Sequence, residues 1–331
     1  MQALELKERA SHIATAMHRC LPAEFPAAAK IVAAALGPEA PPTGENGMGV
    51  LRYMPHDSFI ERFGLDHPQD AFRLQEEVTR RFSCEYSIRA YLSRYPDLTY
   101  ARMLAWATSG DTHLRRLASE GMRPRLPWGR RLPGLISDPA PVITVLELLK
   151  DDPERYVQRS VANNVNDISK DHPELAVALC ARWLPDAPPA RLWIIRHAMR
   201  HLVKKGHPGA LQLMGAGRPP EIRIESITLS PARLKIGDRM RFSVDIVSNA
   251  RDAQDLVVDF VIFYLKARGN VSPKVFKLAT ISLAAGERAT LKSSLSFADM
   301  TTRKHYPGSH RLALQVNGTA FELAVFDLHV S

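Results

Sequence analysis

Three segments of the 331-residue chain repeat one local pattern: an Asp-containing turn, then a helix with an Arg on its polar face. They read Asp111-Thr-His-Leu-Arg-Arg116-Leu-Ala-Ser-Glu120-Gly, then Asp152-Pro-Glu-Arg-Tyr-Val-Gln-Arg159-Ser-Val-Ala-Asn163-Asn-Val-Asn-Asp167, then Asp186 through Trp193-Ile-Ile-Arg196-His-Ala. The arginines lie 43 residues apart (116 to 159) and then 37 (159 to 196), a spacing of the HEAT type. A helix pair of that size cannot bury its apolar face alone. Successive pairs therefore stack into a solenoid whose polar faces line one concave surface.

Helical-wheel positions at roughly 100° per residue give each repeat two faces. In the second, Arg159, Asn163, Asn166, Asp167 and Lys170 share a side opposite Val161, Val165 and Ile168. In the third, Arg196, Arg200 and Lys204 form a basic i, i+4, i+8 stripe opposite Ile194, Ala198 and Leu202. In the first, Arg116 and Glu120 lie opposite Leu114, Leu117 and Ala118. Such stripes are most simply solvated surface, and Arg116–Glu120 reads equally as an ordinary i,i+4 pair. Two details point further. Arg recurs at equivalent positions, and Asn163-Asn-Val-Asn166 sets three poor helix formers inside a helix. Those amides then either cap neighbouring segments or contact a ligand. Between the first two repeats, Arg123-Pro-Arg125-Leu-Pro-Trp128-Gly-Arg130-Arg131 surrounds one indole with guanidinium forks suited to phosphates.

Upstream, Leu4, Ala10, Ile13, Ala14 and Met17 mark an amphipathic helix, and further helical segments cover 72–81, 87–95 and 100–108. The Pro/Gly-rich stretch 37–49 reads as a loop or linker. The pattern changes at Gly215-Ala-Gly-Arg-Pro-Pro220. Beyond it, segments 222–229, 240–248, 256–266, 276–283, 289–297, 311–318 and 319–330 read as strands punctuated by turn residues. The expected architecture is multidomain, α then β. An all-α HEAT-like repeat solenoid over 1–218 precedes an immunoglobulin-like β-sandwich over 219–331.

The net charge of +9 favours phosphate-rich partners and comes from both halves. From Pro219 onward 15 Lys+Arg face 11 Asp+Glu, and the rest of the chain carries 29 against 24. Cys20, Cys84 and Cys180 have no metal-ligand spacing and fit a reducing compartment. A charged start without an apolar run, and no transmembrane stretch, give the expectation of a cytoplasmic protein with no membrane partner. No P-loop or metal cluster stands out, so neither a cofactor nor a metal is expected.

The runs Arg115-Arg-Leu-Ala-Ser-Glu-Gly-Met-Arg-Pro-Arg-Leu-Pro-Trp128, Ser160-Val-Ala-Asn-Asn-Val-Asn-Asp-Ile-Ser-Lys-Asp-His-Pro173 and Trp193-Ile-Ile-Arg-His-Ala-Met-Arg-His-Leu-Val-Lys-Lys-Gly206 resemble AlkC-type DNA alkylation repair glycosylases. So does Phe82-Ser-Cys-Glu-Tyr-Ser-Ile-Arg89. The similarity covers most of 1–215, and some members carry a C-terminal immunoglobulin-like domain. The resemblance implies a monomeric enzyme of the bacterial cytosol and nucleoid. It implies excision of cationic N-methylated bases (3-methyladenine, 3-methylcytosine and 1-methyladenine) from double-stranded alkylated DNA, reached from the backbone side without full base flipping.

A cationic base is already a good leaving group, and its departure leaves an oxocarbenium-like sugar. The chemistry then needs negative charge near C1′ and a carboxylate that orients water. Glu120 is the first candidate, followed by Asp167 and Glu85. Trp128 is assigned to cation–π contact with the lesion, and Asn163 to the lesion or sugar. Arg116, Arg123, Arg125, Arg159, Arg196, Arg200 and Lys204 are assigned to phosphates. The competing expectation is a catalytically inert HEAT scaffold that binds DNA or protein. A pure DNA clamp, however, gains nothing from carboxylates facing phosphates.

Overall fold

The computed structural model describes residues 4–41, 43, 47–300 and 303–330. Residues 42 and 44–46 of the stretch read as a loop lie outside the described residues; its end enters a short 3-10 helix, Met48–Tyr53. The chain forms two compact units, Met1–Met199 and Arg200–Ser331.

The first unit holds α1 (Leu6–Cys20), α2 (Phe25–Ala34), α3 (Met54–Phe63), α4 (Pro68–Thr79), α5 (Ile88–Arg94), α6 (Pro96–Ala107), α7 (Thr112–Gly121), α8 (Pro133–Ser137), α9 (Ala140–Leu149), α10 (Arg155–Ile168), α11 (Pro173–Trp183) and α12 (Pro189–Ala198). Prolines open many of these helices. A Pro at the first or second position begins α2, α3, α4, α6, α8, α9, α11 and α12, where its missing N–H costs nothing. Asp111 caps α7 by accepting the His113 amide at 2.9 Å.

The three arginine-bearing segments are α7, α10 and α12, and they stack in that order. The helices between them, α9 and α11, pack alongside. Leu114, Leu117 and Ala118 of α7, Val161, Val165 and Ile168 of α10, and Ile194 and Ala198 of α12 are all buried, as the wheels require. Each large apolar side chain so buried contributes roughly 1.5–3 kcal/mol. Gly121 ends α7 against α5; a Cβ there would meet Ile88 Cγ2 at 2.8 Å.

Two of the three recurrent aspartates, Asp111 and Asp152, fasten neighbouring segments together. Asp111 accepts Arg80 Nε at 2.7 Å, and Asp152 accepts Arg115 Nε at 2.6 Å. The third helix departs from expectation. It is interrupted at Met199, so the stripe Arg196, Arg200, Lys204 is not continuous.

The second unit begins with α13 (Arg200–Lys204) and α14 (Pro208–Leu213), earlier than the 218/219 boundary read from composition. These short helices group with the β-rich part for a local reason. Leu211 and Ala216 pack on Val257, and Gln315 donates to the Lys204 carbonyl at 3.0 Å. Gly206 and Gly318, both at positive φ, meet so closely that a Cβ on Gly206 would lie 2.9 Å from the Gly318 Cα.

Among the described residues eight strands follow: β1 (Ile222–Ser230), β2 (Leu234–Lys235), β3 (Arg239–Ser248), β4 (Gln254–Leu265), β5 (Val271–Leu283), β6 (Arg288–Ser296), β7 (Gly308–Val316) and β8 (Thr319–His329). They form sheets ordered β1-β3-β6 and β2-β8-β7-β4-β5. Seven coincide with the expected segments. The two-residue β2, paired in parallel with β8, is too short to show periodicity. Alternate residues Phe242, Val244 and Ile246 of β3 and Val258, Phe260 and Ile262 of β4 fill the core between the sheets. Phe242 meets Phe260 edge-on across it, with ring centroids 5.1 Å apart.

Candidate active site

The site is assembled from three places in the first unit. Helix α7 carries Arg116 and Glu120 one turn apart, and Arg123 follows its end. Helix α10 carries Ser160 and Asp167. The segment before α5 supplies Ser83 and Glu85. The stacking of α7 on α10 brings the three carboxylates singled out in the sequence into one ion-pair chain. Arg116 Nη2 lies 2.7 Å from Glu85 Oε2 and 3.7 Å from Glu120 Oε1. Arg123 donates to Glu120 Oε1 at 2.7 Å and to Asp167 Oδ2 at 2.8 Å. Lys170 closes the chain on Asp167 Oδ1 at 2.7 Å. Ser160 donates to Glu120 Oε2 at 2.6 Å, and Ser83 receives Arg116 Nη1 at 2.7 Å while donating to Glu85 at 2.9 Å.

These charges are largely withdrawn from water. Side-chain exposure is 8% for Glu120, 8% for Arg123 and 1% for Asp167. Burial alone would raise the Glu120 pKa, but Arg116 and Arg123 beside it, with the Ser160 and Arg123 hydrogen bonds, hold it below the usual carboxylate value. Burial likewise opposes the charge on Arg123, and Glu120 and Asp167 overcome it. The Tyr156 ring lies 5.3 Å from the Arg116 guanidinium, on a further side of it. The result is a dense array of carboxylates interleaved with guanidinium groups in a low-dielectric setting.

This geometry alters the part played by several arginines assigned to phosphates. Arg116 and Arg123 are enclosed between carboxylates, and Arg125 grips Asp171 through two bonds of 2.6 and 2.5 Å. Their donors already have anionic partners, which a helical wheel cannot show. Arg159 and Arg196 differ from these three. Both are exposed and pair with no acid among the described residues. Lys204 is exposed and Arg200 half-buried, both in the second unit. Asn163 is half-buried. Its neighbours serve as inter-helix caps: Asn164 donates to the Ser119 carbonyl at 2.7 Å, and Asn166 to that of Ala198 at 2.9 Å. Both acceptors lie in the last turn of a neighbouring repeat helix. Trp128 is 72% exposed.

Four residues of the site escaped the sequence reading. Arg89, almost wholly buried, donates to the carbonyls of Gly121, Arg123 and Arg130 at 3.0, 2.8 and 2.5 Å. Burial, with Arg123 nearby, pushes its pKa down to about 10, so it remains a cation. Ser160 completes the Glu120 contacts. Arg155 lies 4.0 Å over the Trp193 ring, whose other neighbour is His197, stacked at 4.7 Å; this adds an oriented cation one turn from Arg159. Asp57 of α3 is buried and accepts the Ser87 amide at 3.1 Å, just behind Glu85. Burial pushes its carboxyl up to about 7. None of the four has a periodic or spacing signal.

Among the described residues no helix is long and apolar enough to cross a membrane, and no group of three or more His, Cys, Asp or Glu is placed to hold a metal ion.

Comparison with known proteins gives two family matches. Residues 81–202 match the family described as DNA alkylation repair enzyme, and residues 223–330 match the C-terminal Ig-like domain of uncharacterised protein YhaZ. The chain is 38% identical over 315 residues to the uncharacterized protein YhaZ of Bacillus subtilis, covering 95% of this chain and 85% of that one. It is also similar to the Pseudomonas fluorescens alkylpurine DNA glycosylase AlkC, solved bound to DNA containing an abasic site analog. The identity is 34%, the TM-score 0.81, and the match spans 98% of this chain and 97% of that one.

Proposed function

Because the chain belongs to the family of DNA alkylation repair proteins that includes YhaZ and AlkC, we propose that it is a monofunctional DNA glycosylase that excises cationic N-alkylated bases, such as 3-methyladenine, 3-methylcytosine and 1-methyladenine, from double-stranded DNA. The observation that carries the reading is the buried chain Glu85–Arg116–Glu120–Arg123–Asp167. Loss of a cationic base moves positive charge onto the sugar. Preorganised carboxylates in a low-dielectric site stabilise that charge without reorganising. Glu120 is the principal one. It is ionised and fixed on both oxygens, and it keeps lone pairs able to orient water from the backbone side of the strand. Asp167 and Glu85 extend the negative field.

In this reading Arg116 and Arg123 position the carboxylates instead of holding phosphates. Arg155, Arg159 and Arg196 face the DNA backbone from consecutive repeats. An inert DNA clamp is disfavoured by the same array. Collecting three carboxylates in a basic protein costs desolvation and adds nothing to phosphate binding. The direct test incubates the protein with methylated duplex DNA and measures free base released. Release of 3-methyladenine with production of abasic sites is expected, and tight binding with no release would overturn the reading.

A further inference from the structure

Trp128 occupies a position that an ordinary surface residue would not. Its backbone is left-handed, at φ 61°, a region that penalises bulky L-residues. The residue is 72% exposed, so core packing does not explain the conformation. The other tryptophans differ: Trp106 and Trp183 are buried, and Trp193 is half-buried beneath Arg155.

The segment around it is fastened from every side. Lys7 Nζ donates to the Trp128 carbonyl at 2.7 Å. Arg89 holds the carbonyls of Gly121, Arg123 and Arg130, and Arg125 holds Asp171. The Gly129 amide donates to the Leu126 carbonyl at 3.2 Å, and a Cβ on Gly129 would strike Leu126 at 2.8 Å. Five peptide units separate Trp128 from Arg123, whose side chain bridges Glu120 and Asp167. At 3.8 Å per unit that is at most about 19 Å. The Trp128 Cα therefore lies within about 19 Å of the Arg123 Cα, close enough for one duplex to reach both.

We propose that Trp128 is a specificity-determining residue: a rigidly presented indole that stacks on DNA where base stacking is broken, and so favours damaged sites over intact duplex. In intact B-form DNA each base face is covered by its neighbours. A damaged or missing base lowers the cost of opening the stack, and an aromatic face can fill the gap. The strained backbone is what a fold tolerates when presentation is selected over local comfort. This inference rests on the glycosylase reading but does not need the chemical step for its test.

The test uses the full chain and three variants: Trp128→Asn, Trp128→Phe and, as a control, Arg159→Ala. Asn tolerates the left-handed conformation and removes the ring. Binding is measured to a duplex with a central abasic-site analogue and to the intact duplex of the same sequence, with tryptophan emission recorded in each titration. The wild-type protein should prefer the abasic duplex, with emission shifting to shorter wavelength on that duplex alone. Trp128→Asn should lose about tenfold on the abasic duplex, little on the intact one, and its emission shift. Its melting temperature should stay within about 2 °C of wild type or rise. Trp128→Phe should retain most of the preference, whereas Arg159→Ala should weaken both duplexes alike. An unchanged preference in Trp128→Asn overturns the proposal. So does a large fall in its melting temperature, which would make the ring a structural plug. A wild-type protein that shows the preference and the shift yet releases no base would leave this inference standing and remove the glycosylase reading.

Discussion

Replacing Arg123 by Met separates two roles that the sequence alone cannot distinguish. As a phosphate contact, Arg123 would supply one cation to the DNA. Its loss would lower the salt slope of binding by roughly 1 and leave the fold intact. The structure makes it the bridge between Glu120 and Asp167, with 8% of its side chain exposed. Met fills much of the same volume and leaves two buried carboxylates short of a partner. Removing one member of a buried ion pair costs about 3–5 kcal/mol. For a unit of this size that lowers the melting temperature by roughly 6–20 °C. The deficit should shrink on acidification, because without Arg123 one of the groups holding the Glu120 pKa down is gone and its protonation removes uncompensated charge. The assays are thermal unfolding at pH 5 and pH 8 and DNA titrations at several salt concentrations. A variant as stable as wild type with a salt slope reduced by one would refute the bridging role.

Two further outcomes follow from the same geometry. Arg159→Ala should leave the melting temperature nearly unchanged and reduce the salt slope by about 1; an unchanged slope would remove Arg159 from the interface. Asp57 should make stability fall as pH rises. Its folded pKa is about 7 against an ordinary 3.8, so the folded state holds the extra proton between those values. Stability from this group is full below about pH 4, is lost progressively through pH 7, and is level above, a span on the order of 4 kcal/mol. Asp57→Asn should flatten that part of the profile, and unfolding curves for the two proteins that run parallel from pH 4 to 8 would contradict it.

How much was legible beforehand depended on whether a feature is periodic. The strands alternate on one buried face, so seven of them appear in the pattern of residues such as Phe242, Val244 and Ile246. The repeat helices α7, α10 and α12 bury one stripe, so their apolar faces and stacking order were visible too. The carboxylates Glu85, Glu120 and Asp167 could be singled out by chemistry and resemblance. What joins them could not. A wheel says which way Arg116 points along its own helix, and says nothing of the Glu85 that meets it from a segment 31 residues earlier in the chain (85 to 116). The same holds for Asn164 and Asn166. Their low helix propensity signalled polar work, and only the neighbouring helix ends show that the work is capping. The break at Met199 was hidden because the four-residue spacing of Arg196, Arg200 and Lys204 continues across it.

The measurement that bears most directly on the central claim is single-turnover release of 3-methyladenine from methylated duplex DNA by wild type and Glu120→Gln, with affinity for an abasic-site duplex measured in parallel. Gln is nearly isosteric and still accepts from Arg123, so the variant removes mainly the charge. The account predicts a fall of about 10²–10³ in the rate, the scale of losing one preorganised electrostatic group, with affinity changed by less than about tenfold. A variant that releases base at the wild-type rate, or one whose lost activity is matched by lost DNA binding, would contradict it.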